Sequence, residues 1–581
     1  MYRMKTSQIA AVIALALILG LAWGIARTVA GGSEDPYAAV GRGIDVFGRV
    51  YVKLAREYVR EIDPEELMNN GIEGMLNGLD PYTHLFTKKA ALDQLKIDTT
   101  GKFGGLGITI AIKDKYPTVI SPIEGTPAYD VGLQAGDRIV KIEGELTKGK
   151  DIDEVVSVLR GEPNTKVTIT VEREGLQDPI DFEITRAEIN VKSVTLAKEL
   201  QDGIAYVRLA KFSANVEQEL DEALARLKEK QLRALVLDVR SNPGGLLEQA
   251  YIVADKFLDK GRLIVSTKGR LPSQTKEYVS PNDPAIDRDI PLIVLVNGAS
   301  ASASEILAGA IQDWDRGLVL GTRTFGKGSV QTVADIYRSR GEEDENVALK
   351  MTTAYYYTPS GRCIHDIENG AYSVALGEAE QDSAAPRQLF KTRLKGRVVY
   401  GGGGIVPDVE VEPLEMTQFA AELQRRRMFF SFAVHYGAAR STLPPDFQVD
   451  DAVISQFQVF IADSLRHFDY ESPAERQVEE LDMLVEKHQY GDRVRQELDQ
   501  LKAALAEEKA RDFDRSRDYI RMALRRELAS RFWGSEATIE ATFPEDRQLH
   551  AAIDILNNPK VYEQHMSAQV IAAGEQETRS D

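Results

Sequence analysis

The sequence predicts an α/β multidomain protein: a helical N-terminal region, a small β-rich module, a βα-repeat core and a helical C-terminal extension. Two observations predict it. At 581 residues the chain exceeds what one hydrophobic core organises, so several domains are expected. The texture also changes along the chain. Helical spacing gives way to short β-branched runs, then to alternating strands and helices, then to charged helix.

The N-terminus carries an address. Arg3 and Lys5 precede an apolar run from Ile9 to Ala26, with Arg27 and then Glu34 and Asp35 after it. Such a run is at the lower limit for spanning a bilayer, and its leading positive charge favours export of the bulk. Thr28-Val29-Ala30 fits a signal-peptidase site, so residues 1–30 read as a signal peptide or a retained membrane anchor. The expected location is periplasmic, with anchoring to the inner membrane if the run is uncleaved.

Gly31-Gly32-Ser33-Glu34-Asp35-Pro36 reads as a linker. Over 37–97 the spacing is helical, with Val46, Val50, Leu54 and Tyr58 on one face. Asp63 followed by Pro64 signals a second helix start. From 98 to 189, runs at 108–112, 118–120, 138–142, 167–171 and 180–184 read as strands, interrupted by one helix at 152–159. Over 190–412, the apolar runs 234–239 and 292–296 fit buried strands, each leading through a glycine or serine turn into a helix. Beyond 413 the chain is helical and charged. Val494, Leu498, Leu501 and Leu505 form a stripe too short for a coiled coil, so a packing helix is expected.

Composition removes several function classes. A net charge of -19 opposes binding to nucleic acid or anionic lipid. One cysteine, Cys363, forms no intrachain disulfide and reads as a packed side chain rather than a catalytic thiol. The seven histidines include no His-Glu-x-x-His pattern, so no metal or other cofactor is expected.

The chemistry concentrates between Asn297 and Gln331. Ser300, Ser302 and Ser304 cluster where a helix should begin, with Glu305 placed to form a capping box with Ser302. A serine at a helix N-terminus also sits in a field that favours a developing anion, and the Ala303 N–H would be one oxyanion donor. No histidine lies between His84 and His365, so the local candidate for a base is Lys327, twenty-five residues after Ser302, which standing alone would read as a solvated loop lysine. A lysine base must be neutral near pH 7, which burial promotes. If its segment is extended, Lys327, Ser329 and Gln331 share a face, and Gln331 could orient the amine. Gly321–Lys327 begins like a phosphate loop, but Gly328 stands where magnesium chemistry needs Ser or Thr. The turn Asp238-Val239-Arg240-Ser241-Asn242-Pro243-Gly244-Gly245 could supply the second oxyanion N–H.

Together these segments resemble the C-terminal processing peptidases (tail-specific proteases) of serine peptidase family S41. The likeness also rests on 71–82, on Tyr357-Thr358-Pro359-Ser360-Gly361-Arg362, and on Gly404-Ile405-Val406-Pro407-Asp408. It implies a ClpP/crotonase-like protease core and assigns Ser302 as nucleophile, Lys327 as general base and Gln331 as its positioner. Ala303 and either Gly244 or Gly245 complete the oxyanion hole, with the choice between glycines open. The insert is similar to a PDZ domain, with Gly105, Leu106, Gly107 and Ile108 as its carboxylate-binding loop. The resemblance thus implies an exported serine endopeptidase that reads protein C-termini and cleaves through a Ser-Lys(-Gln) acyl-enzyme. The alternative is a non-catalytic PDZ scaffold of the cell envelope. Arg160 is a candidate relay from peptide to protease. Homo-oligomerisation is expected, and the tail is open to roles as dimerisation element, lid or adaptor-docking surface.

Overall fold

The computed structural model describes residues 36–87, 89–337, 346–365, 388–440, 442–444, 447–463, 468 and 470–567. The apolar run and cleavage site near the N-terminus lie outside them. Among the described residues no helix is long and apolar enough to cross a membrane. The chain forms two compact units, Met1–Leu85 and Phe86–Asp581.

In the first unit, α1 (Pro36–Glu57) is followed by α2 (Pro64–Leu76). Asp63 caps α2 by accepting from the Glu65 N–H at 2.8 Å, with Pro64 in the first turn where its missing N–H costs nothing. The stripe of Val46, Val50, Leu54 and Tyr58 is exposed.

The second unit opens with α3 (Lys89–Thr100) and β1 (Lys102–Gly105), then the β-rich module. Its strands are β2 (Ile108–Lys113), β3 (Tyr116–Pro122), β4 (Arg138–Ile142), β5 (Lys166–Glu172) and β6 (Ile180–Thr185). They form an antiparallel sheet in that order, with β2 at one end. Helix α4 (Ile152–Leu159), capped by Asp151, buries Val155 and Leu159 against Leu106, Ile139 and Ile169. β7 (Ala187–Asn190) pairs with β1 and closes the module.

The core sheet has the order β8 (Val194–Gln201), β9 (Ile204–Leu209), β10 (Ala234–Asp238), β13 (Leu292–Val296), β14 (Leu318–Gly321) and β17 (Val409–Glu410). All neighbours are parallel except β8 with β9. Helices α5 (Val216–Lys228), α6 (Leu247–Asp255) and α7 (Ala303–Asp313) connect successive strands and cover one face. A second, antiparallel sheet orders β12 (Lys276–Val279), β11 (Leu263–Gly269), β16 (Val347–Tyr357) and β15 (Ser329–Tyr337).

A parallel sheet needs both faces covered. Here the second cover comes from the far end of the chain. Helices α14 (Arg547–Asn557) and α15 (Pro559–Met566) bury Leu549, Ala552, Leu556 and Tyr562 against Tyr206, Val236, Ile293 and Leu320. The remainder of the extension has its own core. In it α8 (Gln418–Arg425), α9 (Met428–Ala438), α10 (Asp451–Ala462) and α13 (Arg517–Phe532) bury Phe429, Phe432, Phe457 and Leu524. Between them, α11 (Pro473–Lys487) and α12 (Asp492–Lys509) form a hairpin around Val478, Val485 and Leu498. Of the stripe on α12, Leu498 is buried in this hairpin and Leu505 packs partly against it, while Val494 and Leu501 are exposed. Helix α9 seats Phe430 and Val434 on Ala135 and Ile120 of the β-rich module.

Candidate active site

Strand β13 runs fully buried to Val296, and the chain turns through the serine cluster before α7 begins at Ala303. The fold separates the three serines. Ser300 is buried and donates its hydroxyl to the Val239 carbonyl at 2.8 Å. Ser304 is buried and donates to the Asn242 carbonyl at 2.9 Å. Ser302 is half-buried, with φ of 55° and ψ of -111°, and its hydroxyl makes no capping hydrogen bond. A non-glycine residue held there costs on the order of 1–3 kcal/mol, which the surrounding contacts must offset.

Glu305 does most of that holding. Its Oε2 accepts from the N–H groups of Ser302 (2.7 Å) and Lys327 (2.9 Å). Its Oε1 accepts from the Gly326 N–H (2.7 Å) and the Thr324 hydroxyl (2.6 Å). One fully buried carboxylate thus fastens the serine turn to the lysine loop. Burial pushes its pKa up, and the four donors pull back part of that shift. Opposite it, the buried Tyr356 hydroxyl on β16 meets the Ser302 carbonyl at 3.0 Å and the Lys327 carbonyl. Two side chains therefore each grip both backbones, and the half-buried Lys327 is carried beside Ser302.

The lysine loop has further supports. The Ile405 N–H donates to the Thr324 hydroxyl at 2.6 Å. Gly328 donates its N–H to Nδ1 of His365 at 3.2 Å, so folding brings a histidine to a loop far from any in sequence. An imidazole whose Nδ1 accepts carries its proton, when neutral, on Nε2. β15 begins at Ser329, just past Lys327, and Gln331 donates to the hydroxyls of Ser329 (2.9 Å) and Thr352 (3.3 Å). Arg362 reaches the far end of α7, where it pairs with Asp313 at 2.7 Å in full burial. Cys363 is half-buried, and burial raises its thiol pKa.

The turn after β10 lies against Ser302. Gly244 has φ of 101°, and a Cβ added there would stand 2.8 Å from the Ala301 carbonyl and 2.9 Å from the Ala303 nitrogen. Asn242, fully buried, ties this turn to its surroundings. Its Nδ2 donates to the Leu209 carbonyl at 2.9 Å, and its own carbonyl accepts the Ala301 N–H at 3.0 Å. Its Oδ1 accepts the Gly244 N–H at 2.9 Å. Neither the Gly245 nor the Ala303 N–H has a hydrogen-bond acceptor among the described residues.

In the β-rich module, Gly105 closes β1, Leu106 is buried, Gly107 takes φ of 80° against Thr126, and Ile108 starts β2. The Leu106 and Gly107 carbonyls accept from Ala128 and Ile123 at 2.9 and 2.8 Å. Arg160 stacks on Phe103 and donates to Gln94 of α3 at 3.0 Å.

Sequence reasoning missed Tyr356, His365 and the downstream partners of Glu305. The first two carry no local signal, and the capping-box spacing concealed the third.

Comparison with known proteins gives this arrangement a family. A profile of peptidase family S41 matches residues 203–370, and a PDZ-domain profile matches 118–173. A profile described as a probable PDZ-protease C-terminal helical domain matches 419–556. A carboxy-terminal-processing protease of Bartonella bacilliformis is 40% identical over 352 residues, 58% of this chain and 78% of that one. The chain belongs to this family of S41 carboxy-terminal-processing proteases. It is a serine endopeptidase with a PDZ domain and a C-terminal helical domain. A probable CtpA-like serine protease of Staphylococcus aureus is 37% identical over 319 residues, 54% of this protease and 61% of that one. Among solved structures, a photosystem II D1 C-terminal processing protease is 27% identical with a TM-score of 0.34, covering 64% of this chain and 93% of its own.

Proposed function

We propose that this protease is exported, reads the C-terminus of a protein substrate at its PDZ domain, and cleaves upstream through a serine–lysine acyl-enzyme. Ser302 attacks the scissile carbonyl, and Lys327 in its neutral form takes the hydroxyl proton. The resulting ammonium protonates the leaving amine, and water then hydrolyses the Ser302 ester. The Ala303 and Gly245 N–H groups receive the oxyanion. The Gly244 N–H is already committed to Asn242, which favours Gly245 between the two glycines. Gln331 positions the lysine from β15.

The observation that carries this reading is the double grip of Glu305 and Tyr356 on the Ser302 and Lys327 backbones. His365 is the weaker candidate for base, because its Nδ1 already accepts the Gly328 N–H. In the PDZ domain the substrate carboxylate sits on the N–H groups of 105–108, and its last residues add as a strand beside β2. The inward-bonded carbonyls of Leu106 and Gly107 and the position of β2 at the end of its sheet support this placement.

The test is cleavage of a protein with an apolar C-terminus. Ser302→Ala and Lys327→Ala are expected to lose on the order of 10³-fold or more in kcat, and His365→Gln a few-fold. Substantial activity left in either of the first two sinks the mechanism. The parent kcat/KM should rise with pH along a limb set by a lysine titrating below its ordinary value of about 10.4.

A further inference from the structure

The helical extension reaches the turn that carries Gly244 and Gly245. β10 ends at Asp238, which is fully buried and accepts the Arg240 N–H at 2.8 Å and the Tyr206 hydroxyl at 2.6 Å. The Arg240 guanidinium then lies between two carboxylates. It donates to Asp238 at 2.7 Å, and it forks onto Asp546, Nη2 to Oδ2 at 2.6 Å and Nη1 to Oδ1 at 2.8 Å. Gln548 adds a third acceptor at 3.0 Å. The Arg240 and Asp546 side chains are 12% and 11% exposed, so water does little to screen the pair.

Such a two-pronged pairing fixes direction as well as distance. Five residues on from Arg240 stands the Gly245 N–H. Asp546 itself is not loose. It caps α14 by accepting the Leu549 N–H at 3.0 Å, and its neighbour Glu545 is held by Arg525 of α13 through two bonds of 2.9 Å. Helix α13 also carries Arg531, which donates to the Ala135 carbonyl of the PDZ domain.

We propose that Asp546 is a positioning residue for proteolysis: through its fork on Arg240, the helical extension sets the 241–245 turn and aims the Gly245 N–H at the reacting carbonyl oxygen. The inference rests on the assignment of Gly245 to the oxyanion hole. It gives the extension a part in the chemistry that is exerted through Arg240.

The test uses the full-length enzyme. Asp546→Asn keeps a good helix cap and removes the charge, because asparagine caps as well as aspartate. Asp450→Asn is the control, since Asp450 caps α10 through the Val453 N–H at 3.0 Å in the separate core of the extension. Active sites are counted with a phosphonylating serine probe, and kcat, KM and Tm are measured on a protein substrate. Asp546→Asn is expected to lower kcat per titrated site about tenfold or more, with KM changed less than about twofold. Asp450→Asn should leave kcat unchanged. If Asp546→Asn does not fold, Gln548→Leu serves instead, with an expected loss of about threefold. Wild-type kcat per site in Asp546→Asn, or an equal loss in the control, overturns the proposal while leaving Ser302 and Lys327 untouched. Cleavage retained by Ser302→Ala overturns the catalytic reading and this inference with it.

Discussion

Glu305 in the protease core and Glu422 in the helical extension are both glutamates with several donors, and their surroundings move them in opposite directions. Glu305 is fully buried, and three N–H groups and one hydroxyl converge on it. Burial prevails, and its pKa rises. Glu422 lies near the surface against Arg425 at 2.6 Å and Arg426, and the Arg425 hydrogen bonds lead in lowering it to about 2. Asp451 and Glu508 of the extension are lowered in the same way, by Arg517 and Arg515. The core uses a carboxylate as a fixed point for backbone geometry, with each bond irreplaceable. These three carboxylates of the extension instead each face two arginines, so that one can substitute for the other.

The sharpest way to break this contrast is Glu305→Gln. Its amide nitrogen would have to face two donors, so a stability loss of about 2–4 kcal/mol and a kcat loss of about 10²-fold are expected. Urea denaturation and single-turnover cleavage measure the two. Gly244→Ala comes next. The new methyl meets backbone at 2.8 Å from a residue already at φ of 101°, and about 1–3 kcal/mol with a tenfold or greater loss of kcat should follow. Tyr356→Phe removes one hydroxyl from the opposite grip. About 1–2 kcal/mol is expected, and a kcat unchanged within twofold would show that Glu305 alone holds the pair. Glu422→Gln should cost less than about 1 kcal/mol and leave kcat alone.

Acid separates the regions by sign. Glu422 titrates lower in the fold than in the unfolded chain, so its contribution is full above its ordinary value of 4.5 and is lost as pH falls toward about 2. Glu305 titrates higher in the fold, so its contribution is full below 4.5 and declines as pH rises through its raised value. Hydrogen exchange at successively lower pH should therefore loosen α8 and α9 before the serine turn. The reverse order would remove the distinction.

What could be read from sequence was what a few neighbouring residues decide. The strand at Leu292–Val296, the helix at Ile152–Leu159 and the Asp63 cap follow from local periodicity and turn chemistry, and each stands where the pattern placed it. The serine cluster could be read as a helix start for the same reason. What could not be read is closure. Glu305 receives its other donors from 19 to 22 residues downstream. Tyr356 reaches Ser302 from the second sheet, and Arg240 meets Asp546 across 306 residues. The apolar stripe at Val46, Val50, Leu54 and Tyr58 correctly indicated a helix, yet its face is exposed, since periodicity does not name what covers it.

The two helices over the second face of the core sheet, α14 and α15, have a consequence for biosynthesis. Every residue of β10, β13 and β14 is buried, and these helices help bury them. A ribosome delivers Ser302 and Lys327 some two hundred residues before the segment that finishes their sheet. Until residues 547–566 have emerged, the nascent chain holds Ser302 and Lys327 on an unfinished scaffold. Order of synthesis thus leaves the apolar face formed by Tyr206, Val236, Ile293 and Leu320 without this cover until the last helices are made.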